Sequence, residues 1–516
     1  MRTEGPLFCR VETAKGRYIY DAATNRLFAV SPYLFDHIDE LVRMSADDVA
    51  RRCEESGDGA TFRSAWEAVQ RQRREANCLP CALPNIGLSL SPAEIESVAL
   101  HHCRTIAFEV TSRCNLRCRY CVFSGGYPNT RPHGSRQMST ETARKGVELA
   151  YRVTDHLGGG EAVGIVFTGG EPFLNWGVIR ETMEYVRAKD WGGRQVIFSM
   201  TTNATLFTAV HLEFLSAHAV NLTISLDGPR EVHDRCRVFA DGMRSTFDEV
   251  MTAVRLIRAE RPEYFDQHVM FSAVLSYPVD WSALDRFFHE ELGLSSGKLM
   301  LAQVRDGNEI YFTDSPVAAR EHTGYEELER RFLRAATNGC LFGNFAPGTA
   351  EQKMKAEGNT CVSFIPMVTA MLHLDRRSVS AEGWPRGPLQ PRGCCIAPAR
   401  RLLIATDGAL YPCDRIDFNE FTKIGDVDGG IDLEKVVRMH REFYELTADE
   451  CRRCWAVRLC SQCWTGAIGK DSFDRKAKLS RCAGIRADLK RRLTVYCGVC
   501  ERRPDAFDHC GEVSFD

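Results

Sequence analysis

No run of about 18 apolar residues occurs in this 516-residue chain, which argues against a membrane-spanning helix. The opening segment "MRTEGPLFCRVETAKG" lacks the apolar stretch that directs export, so the sequence predicts a cytoplasmic protein. A surplus of one charge is missing too. The 66 Lys and Arg stand against 69 Asp and Glu, a formal net charge of -3, and without a basic bias there is no nucleic-acid footprint. Clear internal repeats and long low-complexity tracts are absent. What is left describes a globular protein of two to four domains, 44% hydrophobic.

The exception is cysteine, of which there are 22. In a large chain without an export signal, cysteines two to five residues apart point to metal or iron–sulfur ligation rather than disulfides. Isolated ones, Cys9, Cys53, Cys103 and Cys236, read as small buried apolar residues.

Residues 1–95 form one unit in this reading. "LFCRVETA" and "RYIYDAATNRLFAV" alternate as short strands, with "AATN" as a turn. A helix opens at Ser31 with Pro32 in its first turn, a second at Ser45 with Asp48 three residues on, and "TFRSAWEAVQRQRREA" makes a third. Strands followed by three short helices suggest a winged-helix-like module, or simply a structural extension.

From residue 104 to 305 the rhythm is strand, turn, helix. The strands are "TIAFEV", "GIVFT", "QVIFSM", "NLTISL", "HVMFSAVLS" and "KLMLAQV", with "STETARKGVELAYRV", "NWGVIRETMEYVRA" and "TFDEVMTAVRLIRA" as helices between them. Unbroken apolar runs suit strands buried on both faces, hence a parallel α/β sheet or barrel. Chemistry in such folds gathers at the C-terminal ends of the strands. There stand a cysteine triplet, "TGGEP", "TTNAT" and "SLDGP", one after each of the first four strands. Residues 306–390 read as a bridge with a helix at "YEELERRFLRAAT" and a Pro/Gly-rich end, "GWPRGPLQPRG". Residues 391–516 are cysteine-dense.

The triplet is Cys114, Cys118 and Cys121 in "CNLRCRYC". A closed zinc site would need a fourth ligand, for which Cys103, His101 and His102 are the candidates. A [4Fe–4S] cube held by three thiolates would instead leave one iron open. This spacing, followed by "TGGEP", resembles the radical S-adenosylmethionine (SAM) enzymes. The resemblance implies a partial (β/α)6 TIM-like barrel in which the open iron binds SAM. It assigns the SAM site to the Gly169, Gly170, Glu171, Pro172 turn, to Asn203, Ser225 and Asp227 at later strand ends, and to Arg237 facing the SAM carboxylate. Asn203 also fits a plain turn residue, Ser225 a strand-end cap, and Arg237 a surface ion pair.

Further on, Cys395 is followed by twelve residues, Gly408, four residues and Cys413; Cys451, Cys454, Cys460 and Cys463 follow as C-x2-C-x5-C-x2-C, then Cys482. This resembles the SPASM domain, although the usual run ends C-x3-C. The resemblance implies two auxiliary [4Fe–4S] clusters, three in all, one on Cys451, Cys454, Cys460 and Cys482, the other on Cys395, Cys413 and Cys463. The fourth ligand of the latter is open between Cys394, Cys361, Cys340 or none. A pair of zinc ribbons is the plainer reading. Asp414 sits where sulfatase-maturing relatives carry a base, or is a carboxylate bonding backbone. "CLPC" (Cys78, Cys81) and "CGVC" (Cys497, Cys500), the latter with Cys510, bind metal, carry electrons or are ordinary thiols.

The resemblance implies a maturase of ribosomally made peptides, with residues 1–95 as the leader-recognition element. The expected product is an intramolecular cross-link, a cysteine-to-carbon thioether first. Formylglycine formation and carbon–carbon cross-linking are the alternatives. The implied partners are a precursor peptide and a low-potential flavodoxin- or ferredoxin-like electron donor. A small-molecule dehydrogenase, or an iron–sulfur electron carrier or zinc scaffold without turnover, stands behind these.

Overall fold

The computed structural model describes residues 6–127, 130–242, 244–276, 278–294, 298–304, 311, 325–337, 370–371, 373–375, 377–380, 382–391 and 395–506. Most of the 306–390 bridge, with Cys340 and Cys361, lies outside the described residues, as do Cys394 and Cys510.

The chain opens with β1 (Phe8–Glu12), β2 (Arg17–Asp21) and β3 (Arg26–Ala29), an antiparallel sheet in that order. Asn25 takes a positive φ of 60° in the β2–β3 turn, where its side chain accepts from Tyr20 Oη at 2.7 Å. Then come α1 (Pro32–Leu41), α2 (Ala46–Glu55) and α3 (Gly59–Ala76). Ser31 caps α1 ahead of Pro32, and Ser45 with Asp48 closes a reciprocal capping box on α2. Ile19, Phe35, Ile38, Leu41, Phe62 and Val69 bury their side chains in a core of this module's own, which runs to Leu79. The next helix, α4 (Pro92–His101), packs instead on the helix Leu433–Glu445 of the C-terminal region.

Six strands then follow in parallel: β4 (Thr105–Thr111), β5 (Ala162–Gly169), β6 (Gln195–Thr202), β7 (Asn221–Ser225), β8 (Val269–Leu275) and β9 (Leu299–Gln303). Each pairs with the next in sequence, the signature of right-handed strand–helix crossovers winding into a partial TIM-like barrel. The register sets Ile106 beside Ile165 and Ile165 beside Phe198, all buried. Helices α5 (Thr140–Val153), α6 (Trp176–Ala188), α7 (Ala209–Ala217), α8 (Arg230–Cys236) and α9 (Thr246–Glu260) lie between the strands. Alternate side chains of β4 divide accordingly. Phe108 faces α5, where Gly146 gives it room, and Glu109 points the other way.

The C-terminal region completes this sheet. β10 (Leu402–Ile404) runs parallel to β4, pairing Leu403 with Ala107, and β11 (Leu410–Tyr411) turns back on it. Gly408 makes that turn at φ +85°, and a Cβ there would stand 2.9 Å from Val427. Sequence patterning gave no warning of this graft, since three and two residues are too short to display a period. The last helix, Cys482–Arg502, packs on β1, and Glu501 accepts from Tyr18 Oη at 2.7 Å. Arg458 adds a second staple, donating to the carbonyls of Ala22, Ala23 and Gly383 at 2.8 Å each. Among the described residues no helix is long and apolar enough to cross a membrane.

Candidate active site

At the C-terminal end of β4 the chain leaves the sheet as the loop carrying Cys114, Cys118 and Cys121. Its backbone is zipped to the segment after α8: Arg117 N donates to Val238 O at 2.7 Å, Arg119 N to Cys236 O at 3.0 Å, and Ala240 N to Asn115 O at 2.9 Å. This pairing brings Arg237 beside the loop. The three thiols lie within electrostatic reach of one another. Burial pushes Cys114 up to about 12 and raises Cys118 and Cys121, while the positive charges of Arg117 and Arg237 oppose that push. Thiols so placed need a strong local positive charge to ionise, and metal supplies it.

The zinc alternative through Cys103, His101 or His102 fails on geometry. These residues precede β4 and the triplet follows it, so seven extended residues, about 23 Å, stand between them. Cys103 is instead fully buried among backbone groups of Thr105 and Leu402. Among the described residues no three or more His, Cys, Asp or Glu side chains are arranged to grip a single metal ion. A cube, with an iron at each ligated corner, asks for a wider thiol spacing than one ion does. None of the described cysteines is in a disulfide, which leaves the three thiols of the loop available as donors.

The glycines of "TGGEP" follow β5. A Cβ on Gly169 (φ +151°) would fall 2.3 Å from Thr111 O, and one on Gly170 would fall 2.1 Å from Arg113 O and 3.0 Å from Cys114 Cβ. The close approach these glycines permit is to the cysteine loop itself, sealed by Gly170 N to Thr111 O at 2.9 Å and Glu171 N to Arg113 O at 2.8 Å. Glu171 is buried and spends both oxygens inside the protein. It accepts from Thr202 Oγ1 at 2.7 Å, Phe173 N at 3.2 Å and Asn203 N at 2.8 Å. Burial raises it to about 7, against those three donors. Pro172 starts the buried turn Pro172–Asn175 behind it. Glu171 and Pro172 thus tie the ends of β5 and β6 together and fix the shape of the turn.

Asn203 reaches the loop directly: its Nδ2 donates to Asn115 Oδ1 at 3.0 Å and lies 3.9 Å from Cys114 Sγ. Ser225 ends β7 half-buried, paired by backbone to Ser272. Asp227 is fully buried. Its Oδ1 accepts from Val274 N at 3.0 Å; its Oδ2 meets Tyr120 Oη in a very short contact and Arg237 Nε at 3.1 Å. Arg237 also lies over the Tyr120 ring, 5.5 Å from its centroid. Burial works against its charge, but Asp227, Tyr120 and Cys118 outweigh burial and hold the guanidinium protonated. The surface ion pair weighed from sequence is therefore a buried one.

Three participants had no sequence signal. Tyr120, inside the cysteine motif, is the anchor for Asp227. His133 Nε2 stands 3.7 Å from Cys121 Sγ, and burial lowers its pKa to about 4. Glu109, buried on β4, is in ion contact with Arg131, whose guanidinium is sandwiched between Phe123 (4.7 Å) and Phe418 (4.8 Å). That sandwich joins the cysteine loop to the C-terminal region. A small cavity with room for about one water lies beside it, lined by Val122, Phe123, Arg131, Asp414 and Phe418. Asp414 Oδ1 is paired with Arg401 Nη1 at 3.0 Å.

The C-terminal thiols fall into two sets. Cys460 lies within electrostatic reach of Cys451, Cys454 and Cys482, and Cys413 within reach of Cys395 and Cys463. Burial pushes Cys460 to about 11 and Cys413 to about 12. Cys463 thus stands with Cys395 and Cys413 although its spacing departs from the usual run. The CLPC pair separates: Cys78 faces Thr24 Oγ1 at 3.7 Å, whereas Cys81 is exposed with Arg73 at 3.4 Å. Cys497 is buried, one turn before Cys500 on the last helix.

Residues 108–274 match the radical SAM superfamily. An AdoMet-dependent heme synthase of Nitratidesulfovibrio vulgaris is 32% identical over 394 residues, 74% of this chain and 92% of that protein. A cysteine-type anaerobic sulfatase-maturating enzyme of Clostridium perfringens is 29% identical over 398 residues, 75% of this chain and 91% of that one. Two further curated relatives match more briefly, this chain spanning 45% and 40% of their lengths. Among solved structures, anSMEcpe with bound AdoMet superposes with a TM-score of 0.52 at 18% identity, covering 79% of this chain and 100% of that one, which establishes a shared fold.

Proposed function

The chain belongs to the radical SAM superfamily, and on that premise we propose that it modifies a ribosomally made precursor peptide, forming an intramolecular cysteine-to-carbon thioether. The observation that carries this reading is the junction at which the cysteine-loop residues Val122 and Phe123 meet Asp414, next to Cys413, around the Arg131–Phe418 contact. It sets the loop that bears the first thiols against the segment that bears Cys413.

A [4Fe–4S] cluster on Cys114, Cys118 and Cys121, with AdoMet at its open iron, would supply a 5′-deoxyadenosyl radical that takes hydrogen from an unactivated carbon. The chain's own part is placement. Gly169 and Gly170 let the turn close on the cysteine loop, Glu171 and Pro172 lock it, Asn203 and Ser225 present polar groups at the strand ends, and Asp227 serves the site through Arg237. Arg237, held by Asp227, offers a fixed cation suited to a carboxylate. Cys395, Cys413 and Cys463 would hold one auxiliary cluster and Cys451, Cys454, Cys460 and Cys482 the other. Arg401 occupies Oδ1 of Asp414, leaving Oδ2 to take a proton from a bound substrate. The edge strand β3 suits capture of an extended leader segment by strand addition. A low-potential flavodoxin- or ferredoxin-like partner would deliver electrons.

Formylglycine formation is the second reading, favoured by Asp414 beside Cys413 and by the likeness to the Clostridium maturating enzyme. Carbon–carbon cross-linking is the third. Anaerobically reconstituted protein with AdoMet and dithionite is expected to release 5′-deoxyadenosine, and Cys118→Ala to lose that release while keeping auxiliary iron. Release that survives in Cys118→Ala overturns the first-cluster assignment. With peptide, loss of two hydrogens and of an alkylatable thiol marks a thioether; loss of two hydrogens with the thiol intact marks a carbon–carbon bond or, where a hydrazide-reactive aldehyde appears, formylglycine from serine; loss of sulfur marks formylglycine from cysteine.

A further inference from the structure

The cysteine loop has two sides. Zipped in extended form to residues 236–240, it sends alternate side chains opposite ways. Leu116 and Tyr120 are buried with Cys118 between them, whereas Arg113, Arg117 and Arg119 are exposed. Arg117 is held in place, its Nη1 donating to the carbonyls of Cys114 and Leu116 at 2.8 Å each. Asn115 belongs to the same outward row, and its Nδ2 donates to Thr205 Oγ1 at 2.8 Å. That bond ties the row to the segment leading into α7. Asn203, two residues before Thr205, has its Nδ2 3.9 Å from Cys114 Sγ.

Helix α7 is apolar on two sides. Leu212 and Leu215 are buried in the core. Phe207, Val210 and Phe214, three and four residues apart, make a second stripe. Val210 is 67% exposed, the highest value for a large hydrophobic among the described residues. The stripe stands on a firm aromatic base: Trp176 lies 4.8 Å from the His211 ring and 5.3 Å from Phe214, and Phe207 lies 6.1 Å from His211. The only acid in α7 is Glu213, so the charge beside the stripe comes from the arginine row.

Resting on the reading that Cys114, Cys118 and Cys121 hold a cluster, we propose that this surface docks the electron donor, an acidic low-potential carrier protein, against the outer side of the cysteine loop. An exposed apolar stripe marks a contact surface, and a row of arginines beside it steers and orients a partner of opposite charge. The place argues for the occupant. A carrier has to bring its redox group close to the acceptor, and here Arg117 is both exposed and bonded to the carbonyl of Cys114. The residues assigned to AdoMet, Asp227 and Arg237, meet the inward row at Tyr120, so the carrier approaches from the opposite side. In each encounter one electron leaves the carrier and enters the cluster. The carrier is oxidised by one electron, the cluster is reduced by one, and no bond forms or breaks.

The probe is a bacterial flavodoxin of net negative charge, with dithionite as the small reductant that needs no docking. On anaerobically reconstituted protein, calorimetry measures flavodoxin affinity, and 5′-deoxyadenosine release is timed with reduced flavodoxin and with dithionite. Arg113→Glu and Val210→Glu are each expected to weaken flavodoxin binding about tenfold and to slow flavodoxin-driven release by a similar factor, while dithionite-driven release holds. Arg113→Lys, which keeps the charge, should bind as the parent does. Added salt should weaken the parent's binding, and Arg113→Glu should flatten that dependence. A parent that does not bind flavodoxin, or glutamate variants that bind it undiminished, overturn the proposal. Glutamate variants that lose affinity for a precursor peptide and keep it for flavodoxin overturn it too, since the surface is then a peptide site. A parent that releases nothing with dithionite sinks the cluster reading instead, and the binding series, which needs no turnover, still decides whether flavodoxin docks here.

Discussion

Asp227 Oδ2 lies 3.1 Å from Arg237 Nε, and both side chains are sealed from solvent beside the cysteine loop. A buried ion pair contributes little net stability by itself, yet removing one partner strands the other's charge in a poor solvent. Arg237→Met is therefore expected to cost about 3–5 kcal/mol in denaturant unfolding, and Asp227→Asn a comparable amount. The double variant should cost clearly less than the two singles added. Additive losses would show that the two groups do not depend on each other.

Two glycines near this site predict opposite outcomes. At Gly170 a methyl group would run into Arg113 O at 2.1 Å, so Gly170→Ala should destabilise the fold by about 1–3 kcal/mol and lower iron retention on the cysteine loop. At Gly177, within α6, a methyl group meets nothing within 4 Å. Gly177→Ala should be neutral or gain up to about 1 kcal/mol from helix propensity. Thermal unfolding and iron content, measured side by side, check both.

His440 is buried, its Nε2 accepting from Ala397 N at 3.0 Å against the face of Trp464. Burial lowers it from 6.5 to about 4. A histidine depressed in this way favours the native state when neutral, so its contribution is whole above pH 6.5 and disappears as pH falls towards 4. That amounts to about 3 kcal/mol at most. His440→Gln, which keeps an acceptor and cannot take up the proton, should flatten this part of the stability–pH curve. An unchanged slope between pH 6.5 and 4 would count against it.

Arg458 spends its guanidinium on three carbonyls, two of them in the β2–β3 turn, and lies over Trp384. Its replacement by alanine should leave the barrel intact and loosen the N-terminal sheet. Amide exchange in β2 and β3 is expected to quicken about tenfold, with little change in β4–β7. Equal acceleration in both regions would mean that the staple is not local.

Much of this was legible in the sequence for a physical reason. Strands buried on both faces must be apolar without interruption, so β4 to β9 announced themselves, and Ser31, Ser45 and Asp48 marked helix starts through hydrogen bonds made within one turn. The cysteine sets were legible because their members stand a few residues apart, as the proposed cluster ligation requires. What stayed hidden is what tertiary pairing alone creates. Tyr120 and Asp227 are 107 residues apart, and nothing local foretells that one hydroxyl will seek the other's carboxylate. The Glu109–Arg131 contact and the aromatic sandwich around it are equally non-local. The glycines were given a ligand to accommodate, and what they accommodate is the neighbouring loop.

The pairing of β10 with β4 has a consequence for how this molecule is made. Until the ribosome has passed Ile404, the strand that delivers the first cysteines keeps one edge bare, open to pairing with whatever chain drifts by. The nascent barrel therefore waits on its own distant tail. Iron loading of a polypeptide cut short before that point would be attempted on an unfinished wall.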